Sequence, residues 1–191
     1  MKGKKSPDER ELIQGCRNGE AWAQKYIYEQ YAPAMMSVCM RYSGDYETAR
    51  DILQEGFIKV FTKIDSFADI GAFGGWIRRI MVTTALEFLR KNDVLKQADD
   101  IDDHSMSFED YAPNVLESLT ADDLMNCVAQ LSDGYRTVFN MYAIEGYSHA
   151  EIAESLGISE NTSRSQFMRA RNILQKNVEQ LLGKEYAERY K

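Results

Sequence analysis

The chain has 191 residues, 44% of them hydrophobic and 28% charged, and a formal net charge of −7. That length accommodates one or two domains with real cores, and an acidic balance argues at first against a nucleic-acid binder, which is usually basic overall. The charge is unevenly placed, however: residues 1–92 carry a net of +2, residues 93–126 a net of −9 and residues 127–191 a net of 0. Two neutral-to-basic blocks flank an acidic one, as expected of a DNA binder that works with help from a partner. The amino terminus, MKGKKSPDERE, lacks the apolar stretch of a signal peptide. No run reaches the ~20 apolar residues of a membrane span. A cytoplasmic location is therefore expected. Cys16, Cys39 and Cys127 are far apart and odd in number, which suits a reducing compartment and small core residues rather than ligands. With His104 and His149 the only histidines, no metal site and no other cofactor is expected.

In chain order, the spacing predicts a short helix over 8–18, ended at Asn18-Gly19. Residues 20–43 repeat at helical period through Trp22, Tyr26, Ile27, Tyr31, Met35, Val38, Cys39 and Tyr42. Pro33 predicts a kink or a split there, because proline removes a backbone donor. Residues 46–64 form a helix with Ala49, Leu53, Phe57, Val60, Phe61 and Ile64 on one face. Its opposite face carries Asp51, Gln54, Glu55, Ile58 and Thr62. An apolar residue flanked by two acids and an amide has the composition of a small docking patch, or of a plain solvated face. A loop over 65–72 follows, with Phe67 and Ile70 near its tip.

Residues 73–91 are the next predicted helix. Phe73, Trp76, Ile77, Ile80, Met81, Thr84, Phe88 and Leu89 recur at three and four, and the Arg90-Lys91 end suits the helix dipole. A tryptophan at this spacing is most often core. Residues 93–114 lose periodicity, are acidic and contain Pro113, so they read as a flexible linker between two helical domains. Beyond it, helices are expected at about 115–130, 133–145 (with Ser132 as cap), 148–156 and 160–182.

The last two of these helices carry the most chemistry. Ser148 with Glu151 makes a capping box, and Ile152, Ala153 and Leu156 form the apolar stripe behind it. Gly157 falls where the chain must turn at positive φ, Ile158 plugs the core, and Ser159 caps the following helix. This is the pattern of a helix-turn-helix. The second helix carries Arg164, Arg169 and Arg171 among Thr162, Ser165 and Gln166, side chains that hold phosphates and reach base edges. On its own the pattern also fits a helical hairpin with arginines on a wet face.

Taken together, the two halves resemble the sigma-70 family, in the small two-domain group called extracytoplasmic-function (ECF) sigma factors. DILQEGFIKVF (51–61) resembles the family's segment for the clamp coiled coil of the largest catalytic subunit of bacterial RNA polymerase. WIRRIMVTTALEFLRK (76–91) resembles the helix that opens and reads the −10 promoter element. YRTVFNMYAIEGYSHAEIAESLGISENTSRSQFMRAR (135–171) resembles the region that reads the −35 element. The resemblance implies an all-α fold. A region 2 helical bundle (1–92) and a region 4 helix-turn-helix domain (115–191) would be joined by the acidic linker (93–114).

The family also implies roles for residues. Asp51, Gln54, Glu55 and Ile58 become the polymerase-docking patch. Phe67, Ile70, Trp76, Arg78, Arg79 and Thr83 become the −10 contacts, the 65–72 loop and Thr83 forming a pocket for a base flipped from the stack. Thr162, Arg164, Ser165, Met168 and Arg169 become −35 major-groove contacts, with Arg171 on a phosphate. The linker would thread the polymerase active-site cleft, its charge mimicking nucleic acid in a basic channel. Implied partners are core RNA polymerase, through its clamp coiled coil and its flap, promoter DNA and an anti-sigma factor. No small-molecule substrate and no catalytic residue are implied.

Four positions depart from the family pattern. Valine is usual where Ser163 stands, which would weaken the helix's core anchor. Lys or Arg is usual at Gln166, a proline usually follows Leu131, and Asn is often found at Thr83. Promoter preference therefore does not transfer from any relative. The competing reading is a response-regulator-type helix-turn-helix protein that binds DNA without polymerase. An enzyme finds no support, since no Gly-rich phosphate loop, nucleophile–base pair or metal spacing is visible.

Overall fold

A computed structural model describes residues 7–68, 72–91 and 120–189, with side chains described for all of these but 121, 122 and 184–189. The linker expected at 93–114, the start of the helix expected from about 115, and Ile70 lie outside the described residues. The described chain is all-α, and it divides into two units, Met1–Phe88 and Leu89–Lys191.

The first unit is built from α1 (Glu9–Arg17), α2 (Ala21–Ser43), α3 (Tyr46–Thr62), a 3₁₀ turn (Ile64–Ser66) and α4 (Phe73–Lys91). Asp8 starts α1 through a reciprocal capping box with Glu11, which satisfies two orphan amide donors. Gly19, at φ 75°, turns the chain into α2. The α1–α2 crossing is tight: a Cβ placed on Gly15 would stand 2.7 Å from the Ala23 Cβ. Of the kink or split expected at Pro33, the split does not occur, and α2 runs from Ala21 to Ser43 as one helix. Pro33 and Glu29 are both exposed, so the carbonyl left without a donor faces water and costs little. Asp45 caps α3 by accepting from the Thr48 amide at 2.9 Å.

On α3 the expected residues Ala49, Leu53, Phe57 and Val60 are buried, joined by Ile52 and Gly56, while Phe61 is half-buried and Ile64 is buried in the 3₁₀ turn beyond the helix. Gly56 lies beneath Met81 of α4, whose sulfur occupies the place of a side chain. Ile27, Tyr42, Ile52, Phe73, Ile77 and Met81 are the large, fully buried residues of this core. Each buried aliphatic side chain contributes roughly 1.5–3 kcal/mol.

The second unit contains α5 (Ala121–Ala129), α6 (Asp133–Phe139), a π-helical turn (Asn140–Ile144), α7 (His149–Leu156) and α8 (Glu160–Arg189). Thr120 and Asp123 form the capping box of α5. Ser132 occupies the N-cap of α6, but its side chain makes no capping bond. The buried Arg136 organises that turn instead. Its Nη1 donates to the carbonyls of Ala129 (3.2 Å) and Leu131 (3.0 Å), and its Nη2 pairs with Asp133. The helix expected over 133–145 widens into the π turn at Asn140, whose side chain is buried. Leu131, Tyr135 and Ala170 pack together with Phe139, Ile173 and Leu174, so α6 is held against α8.

Candidate nucleic-acid interface

The helix-turn-helix forms from local signals. Ser148 caps α7 with Glu151 in reciprocal bonds, Gly157 closes it at φ 69°, and the Ser159 hydroxyl accepts from the Thr162 amide at 3.0 Å. Of the apolar stripe, Ile152 is fully buried, while Ala153, Leu156 and the plug Ile158 are half-buried.

Ser163, Gln166 and Ala170 turn the buried face of α8 inward. Ser163 does not leave a loose anchor, because its Oγ lies 2.9 Å from His149 Nδ1. His149 in turn stacks on Tyr142 at 4.3 Å and 12°, with Phe167 edge-on at 6.0 Å. A polar pair thus replaces the apolar contact at the α7–α8 junction. Burial, and then the nearby Arg164 charge, hold the His149 imidazole below its ordinary value of 6.5, opposed by Glu160.

The opposite face of α8 is the candidate reading surface. Arg164, Ser165, Met168 and Arg171 are exposed, Thr162 and Arg169 half-buried. Arg164 is held by Glu160 one turn back at 3.1 Å. Arg169 reaches the Tyr135 hydroxyl at 3.5 Å, and Ser165 donates to the Thr162 carbonyl at 3.0 Å. The structure therefore brings Arg164, Ser165, Met168 and Arg171 to the accessible side of one helix, leaves Thr162 and Arg169 at its half-buried edge, and buries Gln166.

In the first unit the expected −10 residues separate. Phe67 is 5% exposed, so it does not stand at a loop tip. Its ring packs on Phe73 (5.1 Å) and Trp76 (5.5 Å), and its carbonyl accepts from Arg17 Nη2 at 2.7 Å. Phe67 is therefore buried among aromatic rings and does not present its side chain to solvent as a residue at a loop tip would. Trp76 is half-buried, one face stacked on Phe73 at 5.7 Å. Trp76, Arg79 and Thr83 line a cleft of about 200 Å³ together with Lys59, Lys63, Ile80, Thr84 and Glu87. Arg78 is half-buried and lies outside that lining.

Sequence reasoning missed the α3 side of this cleft. Lys59 and Lys63, four residues apart, stand where helical periodicity puts two cations in one row, a signal available but unread. Thr84, 1% exposed, also lines the cleft, and its buried hydroxyl has no hydrogen-bond partner.

On the outer face of α3, Asp51 and Gln54 are exposed and have no side-chain partner among the described residues, and Ile58 is 63% exposed. Glu55 is half-buried and bonded to Lys59 at 2.9 Å. An accessible isoleucine ringed by acceptors is what a basic, partly apolar protein surface would match. The cysteines offer no competing chemistry: all three are buried, and burial pushes the thiols of Cys16 and Cys39 up to about 11 and about 12.

Comparison with known proteins matches the sigma-70 region 2 family to residues 27–95 and the sigma-70 region 4 family to residues 121–174, together well over half of the chain. The RNA polymerase sigma-H factor of Pseudomonas aeruginosa is 26% identical over 184 residues, covering 91% of this chain and 95% of that protein. The ECF RNA polymerase sigma factor SigW of Bacillus subtilis is 29% identical over 181 residues, covering 88% and 96%. Among solved structures, the sigma factor RpoE of Bartonella quintana, crystallised with the anti-sigma factor NepR, aligns with a TM-score of 0.49 at 23% identity, over 81% of this chain and 96% of that one. Two matches in family order, one on each helical unit, and near full-length likeness to these relatives place the chain in the sigma-70 family of RNA polymerase sigma factors, in its ECF group.

Proposed function

We propose that this chain directs transcription initiation as a bacterial RNA polymerase sigma factor, binding core polymerase and recognising −10 and −35 promoter elements. The observation that carries the reading is the pairing of a region 2 match on one helical unit with a region 4 match on the other. Each unit presents an accessible face of the chemistry its role needs. Residues 1–92 serve as region 2, 93–114 as the acidic connector and 115–191 as region 4.

Asp51, Gln54, Glu55 and Ile58 dock the clamp coiled coil, and region 4 meets the flap. Trp76, Arg79 and Thr83, with Lys59 and Lys63 opposite, receive the opened −10 strand, a ring to stack on and cations for phosphate. Arg78 contributes from beside the cleft, and the family resemblance adds Ile70, which lies outside the described residues. Thr162, Arg164, Ser165, Met168 and Arg169 read the −35 major groove, and Arg171 holds its backbone. The chain makes and breaks no covalent bond itself. It works in the cytoplasm, where core polymerase and the genome are, and an anti-sigma factor is its expected inhibitor.

The test is a band shift and run-off transcription on genomic fragments, with and without core polymerase. Promoter-specific complexes are expected only when core is present, and the Asp51→Lys chain should lose them. Tight, specific binding by the chain alone would favour a free-standing DNA binder instead.

A further inference from the structure

A second cleft, of about 270 Å³, opens in the second unit between α5 and the late turns of α8. α8 contributes Asn177, Gln180 and Leu181, all past Arg171 and beyond the region 4 match, which ends at residue 174. α5 contributes Asp123, Asn126, Cys127 and Gln130. None of the docking, −10 or −35 residues lines this cleft. Four of its side chains are carboxamides, each with two donors and one acceptor, and none of the four has a hydrogen-bond partner among the described residues. The apolar part of the lining is Cys127 and Leu181. Among the described residues no Lys, Arg or His lines the cleft, and its one charge is Asp123. The Thr120 amide and hydroxyl donate to Asp123 Oδ2 at 3.0 and 2.5 Å. Those bonds hold the carboxyl below its usual range, so it is ionised at neutral pH, with Oδ1 left to accept.

We propose that this cleft binds a short extended peptide segment of a partner protein, gripping its main chain with Asn126, Gln130, Asn177 and Gln180 and a lysine or arginine side chain with Asp123. A lining with one carboxylate and no cation rejects phosphates, nucleic acid and acidic metabolites. A carboxamide is chemically the same group as a peptide unit, so it answers both the N–H and the C=O of a main chain. The spacing fits as well. Asn126 and Gln130 are four residues apart on α5, a rise of about 6 Å. An extended chain repeats the orientation of its main-chain groups every second residue, at about 6.6 Å. Such a chain exposes N–H and C=O groups along both edges, and Asn177 and Gln180 on α8 meet the edge that α5 does not. A helical segment would leave the carboxamides unanswered, because its main-chain groups are already bonded to one another. The inference stands apart from the polymerase and promoter contacts, since it uses none of their residues.

The experiment titrates the ¹⁵N-labelled full-length chain with acetylated, amidated Thr-Val-Lys-Val-Thr, whose β-branched residues favour an extended form. The readout is the side-chain NH₂ resonances of Asn126, Gln130, Asn177 and Gln180, which should move and saturate at millimolar peptide. An analogue methylated on alternate main-chain nitrogens should bind at least about 5-fold more weakly, as the loss of one or two hydrogen bonds requires. Replacing the peptide's lysine by glutamate should cost about 5-fold, the upper end for an exposed ion pair. The Asn126→Ser/Asn177→Ser chain should lose saturable binding, with thermal melting reporting its fold. If that chain melts early, the peptide analogues decide alone. The proposal is overturned if the four resonances stay still, or if the folded double variant binds like the wild type. It is equally overturned if the methylated peptide, the glutamate peptide or an alanine-rich helical peptide with one lysine binds as well as the first. Movement of the same resonances on dilution of the chain alone would give the cleft to a second copy and would also overturn it.

Discussion

On the proposed function, single side chains in α8 divide the work of DNA binding between specificity and adhesion. Arg164 is exposed and steered by Glu160, which leaves its guanidinium free to trade a surface ion pair worth under about 1 kcal/mol for a bidentate base contact. Arg164→Ala should therefore cost roughly 1–3 kcal/mol of holoenzyme affinity for the selected −35 duplex and little for a scrambled one. Arg171→Ala should weaken both duplexes alike and flatten the salt dependence. Competition titrations with the two duplexes separate these outcomes.

His149 makes a different demand on the same unit. Its Nδ1 meets Ser163, its ring stacks on Tyr142 with Phe167 edge-on beyond, and the charges facing it are Arg164 and Glu160. Burial and Arg164 depress its pKa in the fold, so the unfolded chain takes up the proton first. The stability that this neutral ring contributes is complete above about pH 6.5, the ordinary histidine value, and is lost as pH falls toward the folded value. Protection of the amides in α7 and α8, taken relative to their intrinsic exchange at each pH, should fall over that window, and His149→Gln should remove the dependence.

Helices owe their ends to local chemistry and their crossings to distant partners, and the α1–α2 contact illustrates the second. Alanine in place of a helical glycine ordinarily stabilises by up to about 1 kcal/mol. At Gly15 the new Cβ would meet the Ala23 Cβ at 2.7 Å and the Trp22 ring at 3.2 Å, and the first of these cannot swing aside. Gly15→Ala should destabilise the first unit by about 1–3 kcal/mol, as overpacking does. Gly75→Ala, with nothing within 4 Å of its Cβ, should be neutral or slightly stabilising. Denaturant melts of the two variants supply the comparison. The same distinction explains what could be read in advance. The capping boxes at Ser148 and the turn at Gly157 need only residues within a few positions, and they were legible. Most of the buried face of α3 was legible from its period, but not Ile52 or Gly56, the latter because its partner Met81 is on another helix. Phe67 was misread because its burial depends on Phe73, Trp76 and an Arg17 bond from 50 residues away. Gln166 and Ser163 looked like losses against the family pattern until the fold showed one buried and the other bonded to His149. Local grammar gave the helices and the face of α8, whereas the cleft required knowing which turn of α3 lies beside α4.

For the molecule as a whole, the acid concentrated between its two matched regions should set the partner preference. A net charge of −7 opposes approach to DNA, yet residues 1–92 are net positive and residues 127–191 neutral. The long-range field is thus that of residues 93–126, at −9. Replacing Asp99, Asp100, Asp102 and Asp103 by Asn removes four of those charges and brings the chain from −7 to −3. Two partners should respond with opposite signs. Free duplex DNA should bind the variant more tightly, most of all at low salt, because repulsion reaches about 30 Å at 0.01 M and only about 8 Å at physiological strength. Core polymerase should bind it less tightly, because a basic channel loses the charge that occupies it. Salt titrations of the purified chain against duplex and against core test both arms. If the variant gained affinity for core, the acidic stretch would be acting as a general solubilising segment and not as a nucleic-acid mimic. If neither affinity moved, the charge asymmetry visible in the sequence would have no bearing on partner choice.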